Sequence, residues 1–199
     1  MKTETLAIVA ALGLVTLWAV LDTASTDTAT LDGTAPGQPQ NQDGASLADE
    51  FTSMARQTLN LWRPPEKYAL LIATAEARHG LPQDLLSRLL YQECRWREDI
   101  ISGRLTSPAG AVGIAQIMPA TAAEWGVNPL DPASAIDGAA RYLSSLYSMF
   151  GTWTKALAAY NWGPGNVSRK GLGMAPAETL NYYSQILSDV NAADGSNLA

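Results

Sequence analysis

The sequence predicts an all-α fold, and three observations carry that expectation. Apolar residues recur at three- and four-residue spacing along residues 64–190. Prolines stand where those runs begin and glycines where they end, as helix starts and stops require. No alternating apolar–polar stretch of five or more residues marks a convincing strand, and no internal repeat is present.

The first element is the run TLAIVAALGLVTLWAVL at 5–21, which is uncharged and mostly apolar. As a helix it reaches about 25 Å. That is the short end for a membrane span and slightly long for a signal-peptide core. No good small-x-small cleavage site follows it. Trp18 suits an interfacial anchor, and Lys2 suits an N-terminus on the inner side. The expectation is a retained transmembrane anchor over 1–21, with a cleaved signal or a buried core helix as alternatives. Either of the first two readings puts residue 22 onward outside the cytoplasm.

Residues 22–45 are rich in Thr, Asp, Gly, Pro and Gln and almost lack large apolar side chains. They predict a flexible linker with a reach of about 25–30 Å. Residues 46–63 open on Ser46-Leu47-Ala48-Asp49, a helix-cap pattern. Leu47, Phe51, Met54, Thr58 and Leu61 then form one stripe. This predicts an amphipathic helix, docked on the domain or lying on a membrane or partner protein, and closed by Pro64-Pro65.

The main domain is expected over 64–190. Its first helix, 66–78, has Ala69, Leu70, Ile72, Ala73 and Ala77 apolar and Gly80 as its stop. Pro82 opens a second helix over 81–93. Pro119 starts a short helix that ends near Gly126. Asp131-Pro132 caps a long one, with Ile136, Ala139, Leu143, Leu146 and Phe150 on one face and Gly151 as its stop. Residues 153–161 form the next, broken at Gly163-Pro164-Gly165. Pro176 opens the last, with Leu180, Tyr183, Ile186, Leu187 and Val190 apolar, and residues 191–199 are expected to fray as a disordered tail.

Composition narrows the chemistry. The 199 residues hold 13 Lys+Arg, 19 Asp+Glu, one His and one Cys. One cysteine excludes an internal disulfide. His79 and Cys94 fall short of a usual zinc set, so neither metal nor other cofactor is expected. His79 sits at a helix end beside Gly80 and looks like a surface residue, which leaves carboxylates to do any catalysis. A net charge of -6 and a pI near 4.7 argue against nucleic acid as a partner. The charge is uneven: residues 1–63 carry -4 and residues 64–190 only -1.

One carboxylate stands out. In the second helix Leu85, Leu86, Leu89 and Leu90 define the apolar face, and Glu93 falls within their arc, about 40° from Leu89 and about 20° from Leu86. Burial there raises its pKa, and a Glu held protonated near neutral pH can donate to a leaving oxygen. The competing reading is an ion pair with Arg88, Arg95 or Arg97, or an earlier helix end that frees Glu93 to solvent. Downstream, residues 107–119 are small, glycine-rich and nearly uncharged, with Ser107 and Gln116 the only polar side chains. Such a stretch suits either a groove for a neutral, hydroxyl-rich polymer or a tight packing loop.

Four ordered motifs together resemble the lytic transglycosylase domain of the soluble type (SLT), a lysozyme-like family acting on peptidoglycan. They are Glu93-Cys94-Arg95-Trp96, the stretch from Ser107 through Gln116 to Ala122, Ala159-Tyr160-Asn161 through Gly165, and Glu178-Thr179-Leu180-Asn181-Tyr182. The resemblance covers residues 68–187. It implies a lysozyme-like helical domain with a deep substrate groove, and Glu93 as the single catalytic acid/base. It also implies sugar contacts from Ser107 and Gln116, with Tyr160, Asn161 and Tyr182 near the catalytic carboxyl. Glu178 matches a supporting residue rather than a second catalytic carboxylate.

The implied reaction cleaves the MurNAc-β-1,4-GlcNAc bond of cell-wall glycan and leaves 1,6-anhydro-MurNAc. The alternatives are a hydrolytic muramidase on the same fold and a non-enzymatic wall-binding protein. The expected partners are peptidoglycan strands, the membrane through the N-terminal helix, and secretion, conjugation or phage assembly proteins. The chain departs from the family pattern at Cys94, where Ser is usual, at Ala115, where Met is usual, and at Trp162, where Ala is usual. It also carries a longer stretch between Trp96 and Ser107. Cys94 is expected to be a buried packing residue. Ala115 is expected to remove bulk from the groove, and Trp162 to add a stacking surface or narrow the cleft.

Overall fold

Pro64 and Pro65 fit the threshold of a helix but not its interior, and α1 (Glu66–His79) starts directly after them. The computed structural model describes residues 62–195 together with 197 and 198. The expected anchor at 1–21, the linker at 22–45 and the amphipathic helix, apart from Trp62 and Arg63, lie outside these residues. Seven helices follow α1: α2 (Leu85–Cys94), α3 (Glu98–Ile101), α4 (Pro119–Trp125), α5 (Pro132–Phe150), α6 (Trp153–Trp162), α7 (Pro164–Lys170) and α8 (Ala177–Asp194). A 3-10 turn at Leu172–Met174 separates the last two. Among the described residues there is no strand, only an isolated bridge between Val112 and Ile117. No helix among them is long and apolar enough to cross a membrane.

α1 buries Tyr68, Ile72, Ala75 and Glu76, not the face that residue type alone suggests; Leu70 is 79% exposed. The buried face includes Tyr68, whose ring stacks on Trp96 with centroids 6.4 Å apart.

α2 begins at Leu85, four residues later than expected, and the reason lies in α1. Asp84 takes a left-handed conformation, with φ at 67°, and turns the chain before the helix starts. The Glu76 carboxylate then accepts the amides of Asp84 (3.2 Å), Leu86 (2.9 Å) and Ser87 (3.3 Å). These first-turn N–H groups have no partner within the helix. Arg63 clamps the Asp84 side chain at 2.7 Å. Burial pushes the Glu76 carboxyl up to about 7, against the pull of its three amide bonds. Glu76→Ala is expected to lower stability by about 2–3 kcal/mol, because it strands buried amides. Glu76→Gln keeps one acceptor and should lose less. Urea unfolding measures both, and an unchanged midpoint for Glu76→Ala would rule out the cap.

α2 is the central helix, with Leu85, Leu86, Leu89, Leu90 and Cys94 all fully buried. It packs on α8 and α1; α5 packs on α1 and α6; α6 packs on α7 and α8. Arg78 and His79 at the end of α1 both reach Asp137 of α5, at 2.7 and 3.0 Å, so the lone histidine ties two helices together. Asp131 caps α5 as expected, accepting the Ser134 amide at 3.1 Å, and Thr152 caps α6 through the Lys155 amide. α8 runs on to Asp194, four residues into the segment expected to fray, and the Leu198 amide donates back to the Asn191 side chain at 3.0 Å.

Candidate active site

The site forms where α2 ends against α8. Arg95 (φ 51°) and Trp96 (φ 55°) are consecutive left-handed residues, and they stop the helix directly behind Glu93 and Cys94. That conformation is costly for non-glycine residues and tends to persist only where packing enforces it. Here the Arg95 guanidinium lies 4.7 Å over the Tyr91 ring, and Trp96 packs between Tyr68 and Tyr91. The longer stretch before Ser107 is taken up by α3 and the turn after it.

Glu93 is buried, with 8% of its surface exposed. The Tyr182 hydroxyl, from α8, donates to its Oε1 at 2.5 Å. The three arginines that could have neutralised it are engaged elsewhere. Arg88 binds Asp189 and Gln92, Arg95 reaches Gln92, and Arg97 pairs with Asp99 at 2.8 Å. Burial therefore dominates and pushes the Glu93 carboxyl up to about 7. The Tyr182 hydrogen bond and the Arg95 charge oppose this, and the Glu178 charge adds to it. The result is a carboxyl that exchanges its proton near neutral pH.

Tyr160, at the end of α6, donates its hydroxyl to the Ala115 carbonyl at 3.2 Å. Burial, then the nearby charge of Glu93, raises its pKa well above the ordinary phenol value. Burial and Glu93 do the same to Tyr182. Asn161 accepts from the Thr179 hydroxyl at 2.8 Å, which fastens the end of α6 to the start of α8. Gln116 is half-buried at a left-handed position and donates to the Gly113 carbonyl at 2.9 Å. It adjoins Ala115 and so comes to the site through the Tyr160 contact. Ser107 is buried, and its Oγ accepts the Ala111 amide at 2.9 Å, so it knits the base of the 107–117 loop. The Val112–Ile117 bridge closes that loop.

Three of the departures from the family pattern now have locations. Ala115 is 1% exposed, so the bulk it lacks is missing from the interior beneath Tyr160, not from an open groove. Trp162 is half-buried, with the Lys170 ammonium 5.3 Å over its ring. Cys94 is fully buried, and burial pushes its thiol up to about 12, which makes it an inert packing residue.

Two further aromatic residues join Tyr160 without any mark in the sequence. Trp125, Tyr142 and Tyr160, from three helices, form an aromatic row with centroid spacings of 4.2 and 5.8 Å. Tyr142 merely flanks the apolar stripe of α5, so nothing in the sequence marks it out. Glu178 has a buried Oε1 without a hydrogen-bond partner, and its charge reaches Glu93.

A helical domain that sets the buried Glu93 carboxyl against the Tyr182 hydroxyl, with a glycine-rich loop held by Tyr160, has the arrangement of a lysozyme-like domain. Residues 70–180, more than half the chain, match the family model described as the transglycosylase SLT domain, and the chain belongs to that family. It is 35% identical over 109 residues to membrane-bound lytic murein transglycosylase F 2 of Alkalilimnicola ehrlichii, covering 51% of this chain and 23% of that protein. It is 32% identical over 127 residues to the transglycosylase of Enterobacteria phage PRD1, covering 63% of this chain and 44% of that one. The chain thus spans less than half the length of these curated relatives. Its fold is shared with the 70-kDa soluble lytic transglycosylase SLT70 of Escherichia coli, at a TM-score of 0.56 and 24% identity, over 78% of this chain and 32% of that one.

Proposed function

We propose that the chain is a peptidoglycan lytic transglycosylase. The observation that carries this reading is Glu93, buried, ion-paired with no arginine among the described residues and poised to exchange a proton near pH 7. Protonated Glu93 donates to the glycosidic oxygen between N-acetylmuramic acid and N-acetylglucosamine. The neighbouring acetamido group stabilises the developing cation, as in substrate-assisted glycosidases. Glu93, now a base, takes the proton from the C6 hydroxyl of the same sugar, and that oxygen closes the 1,6-anhydro ring. Protons balance over the cycle, and no water is consumed.

Tyr182 steadies the Glu93 carboxyl through both steps, and Tyr160 and Asn161 shape the wall beside it. Gln116 contacts the sugar, and Ser107, bound through its hydroxyl to the Ala111 amide, is the sugar-side residue that also supports the loop. The names of the relatives, one membrane-bound and one from a phage, support an enzyme tethered to a membrane outside the cytoplasm for local opening of the wall.

The test is digestion of purified sacculi with product analysis by mass spectrometry. The expected products are anhydro-muropeptides. Products one water (about 18 Da) heavier, with a reducing end, would instead mark a hydrolytic muramidase. Binding to sacculi without any release would leave only a wall-binding protein.

A further inference from the structure

The mechanism above leaves one buried charged pair unused. Arg88 of α2 is 1% exposed, and its Nε donates to Asp189 Oδ2 of α8 at 2.6 Å. Its Nη1 also donates to Gln92 Oε1, at 2.9 Å. Asp189 is itself 7% exposed. Taking charges out of water costs several kcal/mol per ion, and apolar side chains of similar volume would fill the space at least as well. Such a pair is better suited to choosing one arrangement than to adding stability.

The arrangement in question is the register of α2 on α8. Two side-chain hydrogen bonds join these helices among the described residues: Arg88 to Asp189, and Tyr182 to Glu93. Along α2 the order is 88 then 93. Along α8 the matching residues run the other way, 189 then 182. The helices are therefore antiparallel, and the bonds form two rungs. On α8, Asp189 and Tyr182 are seven residues apart and within about 20° on one face; on α2, Arg88 and Glu93 are five apart, about 140° round the axis, so the two rungs reach one face of α8 from opposite flanks of α2. The buried residues between those flanks are apolar, including Leu86, Leu89 and Ile186. Apolar burial is non-directional and tolerates sliding. A slip of one helical turn, about 5.4 Å, would carry Tyr182 out of reach of Glu93.

We infer that Arg88 is a positioning residue: its buried pair with Asp189 fixes the register of α2 against α8 and so seats the Tyr182 hydroxyl on the Glu93 carboxyl. The inference rests on the proposed role of Glu93 for its bearing on catalysis, but not for its geometry. The groups that face Glu93 are Tyr182 and Glu178 from α8, Tyr160 from α6, and Arg95 at the end of its own helix. Of these, the Tyr182 bond favours the ionised carboxylate and depends on register. Loosening the register must therefore raise the Glu93 midpoint.

The test uses the full chain labelled with carboxyl-13C glutamate, with the Glu93 resonance assigned by its loss in Glu93→Gln. The variants are the apolar pair Arg88→Met/Asp189→Leu, Tyr182→Phe, and all three substitutions together. Tyr182→Phe and the apolar pair should each raise the Glu93 midpoint by about one pH unit, the size of one hydrogen bond to a charged group. The combined variant should shift no further than Tyr182→Phe alone, because both act through the same bond.

A purely structural role for Arg88 predicts otherwise. The midpoint would then stay at its original value in the pair variant, or the shifts would add, and either result overturns the inference. If the apolar pair does not fold, Arg88→Gln/Asp189→Asn keeps the shape without the charges and carries the same expectation. Sacculus digestion by the unsubstituted chain separates the two claims. No digestion together with the expected titration shifts would refute the lytic reading and support the positioning role. Digestion with a midpoint indifferent to the pair would do the reverse.

Discussion

Replacing Glu93 with Gln is expected to cut the release of anhydro-muropeptides from sacculi by at least about a thousand-fold, the range of a lost general acid/base. The fold should survive. Gln has nearly the same volume, its carbonyl oxygen can still accept from the Tyr182 hydroxyl now on Glu93 Oε1, and a buried neutral amide avoids the desolvation that raises the Glu93 pKa. Undiminished release by the variant would sink the assignment.

The same residue fixes two pH dependences. The first step needs the protonated acid, so the rate should fall as pH rises through about 7. The folded-state pKa lies above the ordinary value of 4.5, so the folded chain holds a proton that the unfolded chain releases. Stability from this group is full below about 4.5 and is lost as pH rises towards and through about 7, by on the order of 3 kcal/mol. Glu93→Gln should flatten that slope, and melting curves taken between pH 4.5 and 8 would show it. A slope unchanged in the variant would mean that other groups, Glu76 first among them, carry the dependence.

Gly113→Ala is expected to be the most disruptive single substitution in the 107–117 loop. Gly113 sits at φ +77°, where an L side chain is strained, and an added Cβ would stand 1.8 Å from the Pro129 carbonyl oxygen. Backbone cannot yield as a flexible side chain tip can. The combined strain and overpacking amount to about 3–5 kcal/mol. Because the loop presents the Ala115 carbonyl that holds Tyr160, and Gln116 beside it, activity should fall with stability. Gly110→Ala is the control. Gly110 has φ +88° but nothing within 4 Å of an added Cβ, so only the conformational cost of about 1–2 kcal/mol applies. Urea midpoints for the two variants decide the matter, and a smaller loss for Gly113→Ala than for Gly110→Ala would refute the close approach.

How much of this was legible in the chain depends on how local each signal is. The start and stop of α5 were, because Asp131, Pro132 and Gly151 act within one turn of the helix they bound. The burial of Glu93 was also legible, because it follows from its angle to four leucines on the same helix. The start of α2 was misjudged because Glu76, on another helix, caps it. The buried face of α1 was legible only at Ile72, because Tyr68 and Glu76 are buried through partners on other elements, Trp96 and the amides at the start of α2. Ser107 and Gln116 were recognised by their motifs, but their hydrogen bonds within the loop were not.

By itself, then, the sequence determined an all-helical domain, the helix that carries the buried Glu93 carboxyl, and the motifs that resemble a glycan-cleaving family. Tertiary structure alone decided that Glu93 meets a tyrosine 89 residues away and forms no ion pair with an arginine among the described residues, that Arg88 meets Asp189, and that Trp125, Tyr142 and Tyr160 gather in one aromatic row. The physical reason is range. Periodicity and capping act over a few residues and leave a trace in their spacing. A hydrogen bond between two helices depends on how those helices slide and rotate against each other, which no run of neighbouring residues records.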